Sequence, residues 1–132
     1  MALYTKSIFK EASLEDGLRI SVMSRHTLND GKTIDERITR EKYDVHLPQL
    51  APHPKLVGAW HRKEISWNLF EQKYFKHIRT EDIASFVEAL AAVASQTDIT
   101  ILCSEDTTEY CHRRLLAEEC KKYQLRLIVF HK

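Results

Sequence analysis

The sequence predicts an α/β fold, a single three-layer domain in which a mixed, mainly parallel sheet is flanked by helices. Two segments carry that expectation. A helical stripe closed by Gln96-Thr97-Asp98 feeds the apolar run Ile99-Thr-Ile-Leu-Cys103, and a second amphipathic helix after Cys103 feeds Leu125-Arg-Leu-Ile-Val-Phe130. Helix into strand, twice over, is the repeating unit of a sheet joined by right-handed crossovers. The third observation is size: 132 residues, 43% of them hydrophobic, bury roughly two thirds of the unfolded surface around one core. No linker, internal repeat or low-complexity tract divides the chain, so residues 1–132 are expected to form one domain.

Taken in order, Leu3 to Phe9 alternates weakly and Leu18 to Met23 cleanly, which predicts two strands joined by the Asp16-Gly17 turn. The second ends at Ser24-Arg25-His26. Thr27 to Glu41 is polar, turns at Asn29-Asp30-Gly31 and lacks a sustained apolar period, so it reads as a surface loop. Tyr43 to Leu47 is a short strand, and Pro48, Pro52 and Pro54 exclude regular helix until about Lys55, with a helical turn around Leu56 to Trp60. Ser66 caps a helix whose Trp67, Phe70, Tyr74, Phe75 and Ile78 bury an aromatic face. Thr80 caps the next, with Glu81 and Asp82 in its first turn, where acids favour the dipole. Its stripe is Ile83, Phe86, Val87 and Leu90, beside Ala91 and Ala94. A final helix starting near Thr107 or Thr108 places Leu115, Leu116, Cys120 and Tyr123 on one apolar arc that also takes in His112 and Glu119. Arg113 falls at the rim of that arc and Arg114 on the solvated side.

Composition excludes some classes of function. Twenty Lys and Arg against nineteen Asp and Glu leave a net charge of +1, so no global field favours nucleic acid or an acidic membrane as a partner. No run of ~18 apolar residues and no charged leader before an apolar stretch occurs, and the expected location is the cytoplasm. Three cysteines without a small-domain spacing read as reduced thiols. The sequence leaves the oligomeric state open.

The chemistry collects at the start of the last helix. Free amides and the positive dipole end favour an anion there, and Arg113 adds a bidentate donor for a phosphate or carboxylate. The same field lowers a thiol's pKa, which makes Cys111 a candidate nucleophile and the adjacent His112 its proton carrier. Glu105 offers a carboxylate to orient the arginine or histidine. Arg25, ending another strand, closes the site from the opposite side, and Cys103 lines it. Each has a plainer alternative: Cys103 and Cys120 as inert packed thiols, His112 as a core histidine donating to a backbone carbonyl, and Trp60-His61-Arg62-Lys63 as a surface loop.

Other motifs fail. Gly17, Gly31 and Gly58 are too dispersed for a phosphate-cradling loop. Cys120 and Arg126 match a cysteine-phosphatase spacing, but on a helix leaving for a strand and with no glycine to curl it. Cys103, Cys111 and His112 lack a standard zinc spacing, so no metal and no cofactor is assigned.

Ile101-Leu102-Cys103-Ser104-Glu105 followed by Cys111-His112-Arg113-Arg114-Leu115-Leu116-Ala117-Glu118 resembles the C-terminal signature of the family called domain of unknown function 488, and Leu18 to Arg25 is similar to its early strand ending in Arg. The middle of the chain is only loosely similar, and Thr107 and Thr108 stand where many members carry a proline. The resemblance implies a small α/β domain from a prokaryotic cytoplasm and groups Cys103, Glu105, Cys111, His112 and Arg113 into one pattern. It supplies no reaction. The expected function is therefore a pocket for a small phosphorylated or nucleotide ligand. The alternative is a binding module for protein or nucleic acid that uses the Thr27 to Glu41 loop and the Trp60 to Lys63 patch.

Overall fold

The run Ile99–Cys103 is apolar at nearly every position, and the strand it forms, β4, is buried on both faces along its whole length. Such a strand needs two neighbours, and that requirement sets the sheet. The computed structural model, which describes residues 2–132, places β4 between β2 (Leu18–Ser21) and β1 (Ala2–Ser7). The short β3 (Val45–His46) and β5 (Ile128–His131) lie at the edges, in the order β3-β2-β4-β1-β5. Every pairing is parallel.

The α/β class and the single sheet are as expected, but β1 and β2 are not a hairpin. Their turn is a capped 3-10 segment, Leu14–Asp16, and β4 inserts between the two strands. Gly17 follows at φ 63°, where a Cβ would run into the Asp98 carbonyl. That close approach lets the Leu18 amide donate to Asp98 and starts β2 in register with β4.

Four helices follow: α1 (Pro54–His61), α2 (Trp67–Ile78), α3 (Glu81–Ala94) and α4 (His112–Tyr123). All join the sheet face that presents Leu3, Ile20, Ile99 and Ile101. Coil covers the other face, where Ile8, Ile38 and Leu102 form a small second cluster with Phe9, Met23 and Tyr43. Connections running one way across the sheet use the coil face and those running back use the helical face, which keeps one crossover hand throughout. The third layer is thus coil, not helix, because the two segments on that side are too polar to form a buried helical stripe.

Local chemistry explains most helix ends. Pro54 occupies the first turn of α1, one residue before the expected start, where its missing N–H costs nothing. The Leu69 amide donates to Ser66 Oγ, making Ser66 the N-cap of α2 as read. Tyr74 is fully buried and its hydroxyl donates to the Leu50 carbonyl at 2.6 Å. Thr80 sits at the N-cap of α3, although its hydroxyl donates backward to the His77 carbonyl. Val87, Leu90, Ala91 and Ala94 are buried as the stripe predicts, while Phe86 is exposed. Glu119 lies inside the apolar arc because Arg79 grips both its oxygens, at 2.7 and 3.0 Å.

Under the coil face, Asp16 is fully buried and holds three cations: Lys6 and Lys132, each at 3.0 Å, and Arg19. Burial pushes the Asp16 carboxyl up, but hydrogen bonds from Lys132, the Ser13 amide and Lys6 outweigh it and hold the group at about 2. Because the folded value lies below the ordinary 3.8, this contribution to stability is complete above that pH and is lost as pH falls toward 2. Asp16→Asn should destabilise the domain by about 3–5 kcal/mol at neutral pH, because buried cations lose their partner. Urea unfolding of wild type and variant at pH 7 and pH 3 checks this: the gap between them narrows at the lower pH.

Candidate functional site

β1, β2 and β4 end in register, with Ser7 beside Cys103 and Ser21 beside Leu102, so their carboxyl ends open onto one crevice. In open α/β sheets ligands bind at such an edge. Here it is a cleft of about 400 Å³ whose lining includes Arg25, Cys103, Ser104, Glu105, Cys111 and His112.

The loop after β4 is held by arginines. α4 starts at His112 with Cys111 as N-cap, several residues later than the expected Thr107 or Thr108. Two side chains from its first turn reach back to fix that loop. Arg113 Nη1 donates to the Glu105 carbonyl at 2.7 Å and to Cys111 Sγ at 3.3 Å, and Nη2 meets the Asp106 carbonyl at 3.5 Å. Arg114 donates to the Thr108 and Glu109 carbonyls at 3.1 and 3.2 Å and pairs with Glu71 and Glu118. Neither arginine lies where the periodicity placed it. Arg113 is fully buried, not at the rim, and Arg114 is tied down, not solvated. The cause is the loop, whose outward-facing carbonyls need donors that no strand or helix supplies.

Arg113 has no carboxylate partner among the described residues, and its Nε is buried with no acceptor. Its positive charge is balanced only by dipoles and by sulfur. Among the described residues the His112 and Arg113 amides in the first turn of α4 also find no acceptor. Arg113 itself does not line the cleft, while Cys111 and His112 beside it do and Glu105 adds a carboxylate there.

His112 Nε2 lies 2.9 Å from the Val22 carbonyl, just beyond β2, and Nδ1 lies 3.8 Å from Cys103 Sγ. Donation from Nε2 to the carbonyl leaves the Nδ1 lone pair facing the thiol. The backbone carbonyl thus orients the imidazole, and this bond joins β2 to α4. Glu105 does not do so: its main-chain oxygen receives Arg113, while its side chain only lines the cleft.

The thiols reverse the expected order. The neighbouring Cys111 thiol, together with the Arg113 charge and the Ser104 and Glu105 amides, outweighs burial and lowers the pKa of Cys103. The nearness of Cys103, together with burial, drives Cys111 well above the usual thiol range. Of the two thiols Cys103 is therefore the more acidic. The helix-dipole argument picked the thiol nearer the helix and left out the second thiol across the loop. Burial pushes Cys120 up to about 12, as expected for a packed thiol.

Cys103, Cys111 and His112 bring three donor atoms within 4.8 Å of one another, a set that a soft divalent ion could use. Arg113 opposes this, because a dication would sit against a buried guanidinium that already lacks a counter-charge.

Arg25 faces the cleft from the β2 side and donates to the Gly31 carbonyl at 3.3 Å, which ties the Thr27 to Glu41 loop to the site. The remaining walls were not legible as site residues. Trp60, Trp67 and Tyr110 pack together with centroids 5.2–5.4 Å apart, and Trp67 stacks on Phe70 at 4.5 Å. The aromatic face of α2 was readable, but its half-buried Trp67, packed against the core, also lines the cleft. Trp60 and His61 line it too, so they are not a separate surface patch.

Alkylation of the native protein should label Cys103 before Cys111 or Cys120, with a midpoint below the ordinary thiol value of 9.0. Cys111→Ala should move that midpoint up and slow labelling at neutral pH, as followed by peptide mass spectrometry across a pH series.

No helix among the described residues is long and apolar enough to cross a membrane. No curated protein and no solved structure matches the chain. The family model described as "DUF488-N3a: Active DUF488-N3 subclade" matches residues 3–124, covering the coil face, the helices and every residue of the cleft. The chain belongs to the DUF488 family.

Proposed function

We propose that the cleft binds a small phosphorylated ligand of the nucleotide class and that Cys103 is the nucleophile that acts on it. One observation carries this reading: a buried, carboxylate-free Arg113 donates to Cys111, beside the Cys103 thiol that faces an oriented imidazole, at the start of a helix with free amides. A cation without a protein counter-charge favours an anion. The Trp60, Trp67 and Tyr110 wall supports a flat ring on the same ligand.

The chemistry closes on these residues. His112 Nδ1 takes the Cys103 proton, and the sulfur attacks phosphorus as the P–O bond to the leaving group breaks. His112 returns the proton to the departing oxygen. Water, deprotonated by His112, then cleaves the S–P bond, releases phosphate and restores the thiol. The first-turn amides and Arg25 steady the phosphoryl oxygens, while Arg113 holds the loop and supplies charge beside Cys111.

Two variants test the reading. Phosphate or a nucleotide at a hundred times its dissociation constant adds about 2.7 kcal/mol, a shift of several degrees for a domain of this size. Arg25→Ala, at an exposed position, should weaken that shift and leave the unliganded melting temperature unchanged. With p-nitrophenyl phosphate as probe, His112→Asn should lower kcat by ~10²–10⁴-fold, and Cys103→Ser should abolish turnover. Absence of any anion response together with absence of turnover would overturn the proposal. Salt-sensitive retention of nucleic acid by the same protein would then favour the binding module.

A further inference from the structure

The mechanism above uses one of two neighbouring thiols as a nucleophile and leaves the other without a role. Their sulfurs lie within 4.8 Å, close enough for modest movement to join them. Cys103 is the last residue of β4, and Cys111 is the N-cap of α4 with extended backbone, so both sit where strand and helix give way to the connecting loop. Both line the cleft, which a small peroxide can enter. Arg113 Nη1 meets Cys111 Sγ at 3.3 Å and helps to carry negative charge should it pass to that sulfur. Cys120, the third thiol, lies nine residues further along α4, ~13 Å away at a helical rise, with its sulfur against the Val87 carbonyl.

We propose that Cys103 and Cys111 are a reversible oxidation pair that hydrogen peroxide closes to an intramolecular disulfide, which switches the site off. The pairing rests on the nearness of the two sulfurs and on Cys103 being the attacking thiol of the proposed reaction. Its sulfur attacks one peroxide oxygen, the O–O bond breaks, and the departing hydroxide takes the proton held by His112 to leave as water. Cys103 is now a sulfenic acid. The Cys111 sulfur attacks it, the S–O bond breaks, and hydroxide leaves with the Cys111 proton as a second water. Two thiols are oxidised by two electrons and one peroxide is reduced. The disulfide removes both the nucleophile and its neighbour, and a dithiol reductant restores them.

The test uses the full reduced chain as wild type, Cys120→Ala and Cys111→Ala, each treated with a small excess of hydrogen peroxide and mapped by non-reducing digestion and mass spectrometry. Wild type and Cys120→Ala should show one link, Cys103 to Cys111, with loss of two hydrogens, reversed by dithiothreitol. Alkylation of the oxidised protein at Cys103 should fall more than tenfold. Cys111→Ala should stop at a sulfenic acid on Cys103, which dimedone traps. If that variant does not fold, Cys111→Ser replaces it, and the wild-type link map decides alone. An unlinked sulfinic acid at Cys103, a link between two chains, or no oxidation of a thiol that iodoacetamide still labels would each overturn the pairing. The phosphate response of the reduced protein reports on the proposed function separately, so the two ideas fail independently.

Discussion

A guanidinium with no carboxylate partner organises one end of this molecule. Arg113 is completely buried, and its donors go to two loop carbonyls and one sulfur. A charge in such a place is tolerated only where dipoles or a nearby anion compensate it. Here the compensation comes from the β4–α4 loop, which is shaped around the arginine, and from the thiol pair. Loop geometry and helix start therefore share one cause, and the same charge adds to the lowering at Cys103.

The opposite arrangement holds on the coil face, where Asp16 is the buried centre and Lys6, Arg19 and Lys132 surround it. That knot replaces a missing helical layer. Strand positions that alternate polar along β1 and β2 would face water in a two-layer sheet, yet Lys6, Arg19 and Ser21 are buried beneath coil. Lys6 and Arg19 pair with Asp16 of the 3-10 segment, Thr100 donates to the Asp16 carbonyl at 2.7 Å, and Ser21 Oγ meets His26 Nε2 at 2.8 Å. An electrostatic lid over half the sheet makes the fold sensitive to acid in a way that a hydrophobic third layer would not be.

Between these two centres the cleft is assembled from three elements. β4 supplies Cys103, α4 supplies Cys111 and His112, and the backbone just past β2 supplies the carbonyl that orients the imidazole. The helical layer adds aromatic walls, and the long coil after β2 adds Arg25. The parallel register brings these strand ends level, and every one of the contacts depends on it.

Much of this was legible in the residues. The period of α2 and α3, the Ser66 cap, the apolar run of β4 and the grouping of Cys103, Cys111 and His112 at one helix start all follow from local pattern, because side-chain direction is fixed by the repeat of strand and helix. Strand neighbours were not legible: the turn at Asp16-Gly17 reads as a hairpin, and only the burial demand of β4 shows that another strand must intervene. Nor was the relative acidity of the two thiols, since the dipole acts on Cys111 by sequence position, whereas Cys103 comes near it only once the loop has folded back. The burial of Arg113 belongs to the same class. Sequence alone determined which groups would be near the helix start; tertiary structure decided which way the two thiols shift, because a pKa depends on what lies across the gap and not only on what lies next in the chain.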